Sequence, residues 1–189
     1  MKNDNAYISV VHYPAINKKG KWVATSFTTL DFHDIARPVR TYELKRYYIV
    51  QPFEAQQYVI KEQIKYWLEG FGSTFNPRRK EAAKMVKVVS SITEMLEDIK
   101  KERGKYPKLI GTSAKKYPQT ISYKDMREKI EKKDDIYLIM LGTGWGMPEE
   151  LVESCDYILE PILGPGEYNH LSVRNAAAII LDRLFGINR

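Results

Sequence analysis

At 189 residues and 22.0 kDa the chain has the length of one ordinary domain, and 43% hydrophobic with 12% aromatic residues excludes a disordered tail. A lone cysteine, Cys155, excludes an internal disulfide, and no apolar run approaches the roughly 18 residues of a membrane span. The net charge of +6 is unevenly spread: residues 1–80 and 81–133 each carry +6, whereas residues 134–189 carry −6 and no lysine. The basic part suits a polyanionic partner. The start of the chain has no apolar stretch behind a basic end, so a cytoplasmic address is expected, with residues 1–189 forming a single domain.

In chain order, Tyr7 to Tyr13 is a predicted strand ended by Pro14, Lys18 to Lys21 a polar turn, and Trp22 to Leu30 an aromatic, β-branched extended segment. Arg46 to Gln51 is a further strand. Phe53 to Glu69 has helical spacing and stops at Gly70. Asn76 and Pro77 are start signals for a helix whose apolar positions repeat as far as Gly104, which predicts one helix of about 40 Å from Pro77 to Arg103. Short units follow: a strand at Lys108 to Thr112, a helix at Ser122 to Lys132, and a strand at Ile136 to Leu141 apolar enough to be buried on both faces. A helix at Pro148 to Cys155, a strand at Tyr157 to Pro161 and a helix at Ser172 to Phe185, with Gly186 past its end, complete the chain.

Strands alternating with helices predict an α/β fold, a mostly parallel sheet with helices on both faces, in which ligands sit at the carboxyl ends of the strands. Two glycine loops stand there: Gly142-Thr143-Gly144-Trp145-Gly146 and Ile162-Leu163-Gly164-Pro165-Gly166. The first is not a P-loop, because no Gly-Lys-Ser/Thr follows. Its strand comes too late in the chain for a dinucleotide fingerprint, although Glu160 stands about 18 residues on, near the spacing for ribose recognition. Both loops lie in the acidic third, a field compatible with a cationic ligand such as a sulfonium.

Three segments in order, Leu141-Gly142 to Glu150, Ile158 to Ile162 and Asn169-His170-Leu171-Ser172-Val173-Arg174-Asn175 to Leu181, resemble the C-terminal signature of the SPOUT RNA methyltransferases. Asp34-Ile35-Ala36-Arg37-Pro38-Val39-Arg40-Thr41 is similar to the first motif of the ribose-methylating branch, and Gly111 to Lys115 to the loop after the third strand. The resemblance implies S-adenosylmethionine as cofactor, a C-terminal trefoil knot binding it within about 108–186, RNA as substrate and a homodimer. It puts Arg40 at the position that handles the target nucleotide's phosphate and ribose. Thr112, Ser113, Leu141, Gly142, Gly146, Ile162, Gly164 and Leu171 stand where the cofactor is held, and Gly144, Glu160, Pro161 and Ser172 complete that candidate set. Asp34 replaces the motif's asparagine and Ser172 the asparagine of the last motif, which leaves ribose 2′-O and a base nitrogen such as guanine N1 both open as acceptor in a tRNA or rRNA.

Methyl transfer from a sulfonium needs alignment of the acceptor and removal of a proton. Asp34 is the candidate base and Arg40 the phosphate clamp; the direct displacement requires no metal, and His12, His33 and His170 show no metal-ligand spacing. Candidate RNA contacts are Lys18, Lys19, Arg37, Arg78, Arg79, Lys115 and Lys116, with Tyr47, Tyr48 and Trp145 as stacking candidates of which at least one tyrosine is expected in the core. The competing reading is a catalytically silent knotted RNA-binding protein.

Overall fold

The computed structural model describes residues 2–187. Its elements in chain order are β1 (Asn3–Ile16), β2 (Trp22–Val23), α1 (Thr29–Thr41), β3 (Leu44–Val50), α2 (Glu54–Leu68), α3 (Phe71–Phe75), α4 (Pro77–Ala83), β4 (Val86–Val89), α5 (Ile92–Arg103), β5 (Lys108–Gly111), β6 (Thr120–Ile121), α6 (Tyr123–Lys132), β7 (Tyr137–Gly144), α7 (Glu149–Glu153), β8 (Tyr157–Leu159) and α8 (Val173–Phe185). One sheet has the order β4-β3-β1-β7-β5-β8-β6, with β2 pairing β1. Every pair on that path is parallel, and only β2 runs antiparallel.

The two-residue period of the strands divides the core. Ala6, Ile8, Val10, Tyr47, Ile49, Tyr137, Ile139 and Leu141 face the side covered by Phe32, Ile35 and Val39 of α1, Ile60 of α2, Met126 of α6 and Ile180 of α8. Tyr7, Val11, Tyr48, Val50, Leu138 and Met140 face the side covered by Met95 and Ile99 of α5 and Val152 of α7. A parallel strand buried on both faces must be apolar throughout, and Ile136 to Leu141 is 4% exposed or less at every position. Among the described residues no helix is long and apolar enough to cross a membrane.

Two expectations fail. The helix from Pro77 to Arg103 is instead α4, β4 and α5: Asn76 caps α4 through the Arg79 amide as its sequence suggests, but the chain turns at Lys84. Ser91 caps α5 through the Glu94 amide, while the Glu94 carboxylate accepts from the Ser90 amide and hydroxyl. Met85, Val86 and Val89 fit a helical period as well as a strand, so spacing alone could not separate the two. The other failure is Trp22 to Leu30, which gives only β2 before α1 begins at a capping box formed by Thr28 and Asp31.

Pro38 lies inside α1 without ending it. Asp34, whose carbonyl would have bonded position 38, is exposed, so water can replace the missing donor. Pro14 likewise sits within β1 on a cis bond to Tyr13.

Candidate cofactor and RNA site

Parallel strands deliver their carboxyl ends to one side of the sheet. There the segments following β5, β7 and β8 come from three adjacent strands. Thr112 Oγ1 donates to the Met140 carbonyl at 2.8 Å, and Asn169 Nδ2 donates to the Ala114 carbonyl at 3.0 Å, joining the loop after β8 to the loop after β5. Thr112, Ser113, Leu141, Gly142, Gly144, Gly146, Pro161, Ile162, Gly164, Leu171 and Ser172 are all carried by these three strand ends and their loops.

The first glycine loop is less of a loop than its sequence suggests, because β7 continues through Gly144. The Ile16 amide donates to the Gly146 carbonyl at 2.9 Å, and the Trp145 amide donates to the Ile16 carbonyl at 3.0 Å. A Cβ on Gly142 would lie 2.7 Å from the Met147 amide nitrogen, so glycine is required there by the returning chain itself. Thr143 Oγ1 donates to the Val11 carbonyl at 2.9 Å and lies 2.6 Å from Thr25 Oγ1, which lies 2.9 Å from His12 Nδ1. Thr143 has one hydroxyl proton, so Thr25 donates to Thr143 and His12 Nδ1–H donates to Thr25. His12 Nε2 is then a bare acceptor, buried and without a hydrogen-bond partner among the described residues. Burial holds the His12 pKa below the usual imidazole value, with Asp31 opposing the shift.

The second glycine loop is open. Built Cβ atoms on Gly164 and Gly166 meet nothing within 4 Å, and Leu163, Tyr168 and Leu171 are exposed. Besides Thr112, three members of the cofactor set have side-chain partners. Ser113 Oγ accepts the Lys115 amide. Glu160 Oε1 accepts the Tyr123 amide at the start of α6, and the Ser172 hydroxyl caps α8 through the Asn175 amide.

The catalytic pair stands differently from its expectation. Asp34 and Arg40 both lie on α1, which runs against the strands, so its last turn sits at the amino ends of the sheet, about 16 Å below its first residue. Arg40 pairs there with Glu81 at 3.9 Å. Asp34 pairs with Arg174 of α8 at 3.6 Å, and the same guanidinium reaches the buried Asp31 at 3.1 Å. Within one chain Arg40 is therefore not brought to the strand-end loops. Arg174 and Asp31, which spacing did not single out, join α1 to α8 beside a groove of about 460 Å³ lined by Asp34, Arg37, Thr41 and Asn175. The helical rhythm Phe32, Ile35, Ala36, Val39 was the signal that could have revealed α1.

Of the candidate RNA contacts, Lys18 and Lys19 occupy the exposed turn after β1, and Lys115 and Lys116 the exposed loop after β5, all at the strand-end side. Trp145 is exposed beside them. Arg37 is exposed on α1, and Arg78 and Arg79 begin α4. Tyr47 and Tyr48 are both fully buried and cannot stack on a base.

A parallel sheet covered on both faces, with glycine-bearing loops gathered at the carboxyl ends of neighbouring strands, is the frame of an α/β enzyme for a nucleoside-like cofactor. The chain belongs to a family of SAM-dependent RNA methyltransferases, which it matches over residues 5–186. It is 54% identical to an uncharacterized protein of Aquifex aeolicus over all of this chain and 92% of that one. A tRNA (guanine-N(1)-)-methyltransferase of Oleidesulfovibrio alaskensis is 41% identical over 96% of this chain, which spans only 42% of that protein. Among solved structures, the TrmH/SpoU tRNA modifying enzyme of A. aeolicus shares the fold at a TM-score of 0.54 and 16% identity, covering 97% of this chain and 74% of that one. The expected RNA-methyltransferase family is thereby upheld, with S-adenosylmethionine as the methyl donor, and the fold is the one the TrmH/SpoU enzyme has.

Proposed function

We propose that this methyltransferase modifies a nucleotide of tRNA, with S-adenosylmethionine held at the carboxyl ends of β7, β5 and β8. The observation that carries the reading is the joining of those strand ends into one wall and one open loop, linked by Asn169 and Ala114. The open space beside Gly146, Gly164 and Gly166 fits a ligand contacted through the backbone. Thr112, Ser113, Leu141, Gly142, Gly144, Pro161, Ile162 and Leu171 would line the cofactor, while Glu160 and Ser172 contribute backbone because their side chains are engaged. Bound there, the cofactor supplies a methyl group on a sulfonium. The chain's own part is to align the acceptor with that methyl group and take up the acceptor's proton.

For that proton we retain Asp34, which Arg174 orients. Arg40 can clamp the substrate only if a second copy of the chain brings it across, which suits a homodimer with residues of both copies at one site. Residues 108–186 then form the cofactor-binding knot, and residues 1–189 act as one domain of a cytoplasmic enzyme. The choice of tRNA is supported by the relative in O. alaskensis, although more than half of that protein lies outside the match. The acceptor atom is ribose 2′-O or guanine N1.

Labelled cofactor incubated with separated tRNA and rRNA fractions, followed by mass spectrometry of the nucleosides, tests both substrate and atom. Label confined to rRNA would overturn the tRNA assignment. Asp34→Ala and Arg40→Ala should each abolish transfer with cofactor affinity retained, and a mixture of Arg40→Ala with Asp34→Ala chains should regain activity if the site is shared between copies. Normal turnover in either variant alone would remove that residue from the chemistry.

A further inference from the structure

The side of the molecule formed by α2, α3 and α4 carries large apolar side chains that nothing covers. Phe71 and Phe75 are 68% and 73% exposed, and their rings stack on each other at 5.5 Å between centroids. Tyr58 and Tyr66, two turns apart on α2, are also exposed. A phenylalanine has no polar end to justify exposure, so a stacked, exposed pair marks a contact surface. Its presentation is built into the backbone: a Cβ on Gly72 would lie 2.7 Å from the Tyr66 ring and 2.8 Å from the Trp67 ring. Only glycine lets α3 fold this closely onto α2, and that close approach turns Phe71 and Phe75 outward.

The charge around the pair identifies what it contacts. Lys61 and Lys65 lie on α2 and Arg78, Arg79 and Lys80 on α4, outnumbering the exposed carboxylates of Glu62 and Glu69 in the same stretch. None of the five has a carboxylate within 4.0 Å among the described residues, whereas the neighbouring Lys84 is paired with Glu81. The Arg79 guanidinium lies over the Trp67 ring at 5.2 Å from its centroid. Exposed aromatic faces among unpaired cations are the means by which proteins hold single-stranded nucleic acid: bases stack on the rings and phosphates meet the cations. A protein partner would also cover Phe71 and Phe75 but would have to bring carboxylates to each cation, whereas phosphates recur along every nucleic-acid strand.

We propose that α2, α3 and the start of α4 form a second RNA-binding surface, which takes unstacked nucleotides of the substrate on Phe71 and Phe75 and their phosphates on Lys61, Lys65, Arg78 and Arg79. It lies about 20 Å along α2 from the strand ends, so it binds a part of the RNA other than the methylated nucleotide. The proposal rests on RNA being the substrate class and is independent of which RNA or atom is modified. It gives the domain a means of gripping RNA within its own surface.

The test is fluorescence anisotropy with a short labelled oligouridylate, alongside calorimetry with S-adenosylhomocysteine to show that each variant is folded. Phe71→Ala/Phe75→Ala should weaken oligouridylate binding about tenfold or more, and Phe71→Leu/Phe75→Leu should weaken it similarly, because leucine keeps the apolar surface but has no π-face. Phe71→Trp/Phe75→Trp should bind at least as well as the unaltered protein. Crosslinking with 5-iodouridine should mark the peptide holding Phe71 and Phe75. Undiminished binding by the alanine or leucine variant, or failure of the unaltered protein to bind oligouridylate, would overturn the surface. Failure of the unaltered protein to transfer a methyl group while oligouridylate binding holds would strike the activity alone.

Discussion

The two glycine loops at the carboxyl ends of the sheet look alike in sequence and differ in construction. The segment from Gly142 to Gly146 is a strand continued past its expected end, paired through its backbone to Ile16 and anchored by Thr143 to Val11 and Thr25. The segment from Gly164 to Gly166 has open space where a side chain would stand, and its neighbour Asn169 supplies a tether to Ala114. A rigid wall facing a loosely held loop is a division of labour: the wall positions the ligand before it arrives, and the loop can close over it.

Gly142→Ala should break the wall and give the largest effect. The added methyl would strike the backbone of Gly146 and Met147, which cannot yield as a flexible side chain can. A loss of about 3 kcal/mol is expected, lowering Tm by about 6 to 12 °C, together with loss of cofactor binding by calorimetry. A variant as stable as the parent would mean that the wall is not rigid. Thr143→Val keeps the shape but removes the donor to the Val11 carbonyl and the acceptor for Thr25, at a cost of about 1 to 3 kcal/mol. Denaturant unfolding should show this as a lower midpoint with unchanged slope.

The same network gives the wall a pH signature. Burial lowers the His12 pKa below its unfolded value of 6.5, so below that pH the unfolded chain takes up a proton that the folded chain refuses. Stability from this group is present above the unfolded value and is lost as pH falls through the range between it and the folded value. His12→Asn should flatten the fall of Tm on acidification, and an unchanged pH profile would show that His12 is not the group responsible.

What the sequence discloses depends on how local the determinant is. The caps of α4, α6 and α8, at Asn76, Ser122 and Ser172, act within three residues and are legible as spacing. The apolar run of β7 is legible because burial on both faces leaves no polar position. By contrast β4 was hidden because its valines also fit a helical period, and α1 because Pro38 resembles a stop although the exposed turn around it tolerates the lost donor. The motif around Asp34 and Arg40 shows two residues six apart but cannot show at which end of the sheet each lies. The links from Asn169 to Ala114 and from Arg174 to Asp31 and Asp34 span 55 residues or more and have no local trace.

Two smaller changes probe the open loop. Asn169→Ala removes the hydrogen bond to Ala114 from an exposed position, so stability should change by no more than about 1 kcal/mol. Cofactor affinity should nevertheless fall about fivefold, because the loop must then be ordered at the moment of binding. Gly164→Ala should do least of all, since the added methyl meets nothing within 4 Å and the backbone there is not left-handed. Its Tm should stay within about 2 °C of the parent. Hydrogen exchange separates the two loops directly. The Trp145 amide, bonded to Ile16, should be protected before any ligand is added, whereas the amides of residues 163–168 should become protected only with S-adenosylmethionine. Equal protection of both loops in the free protein would mean that the second is as fixed as the first. The effect of Asn169→Ala on affinity would then have to come from a direct contact with the ligand and not from ordering.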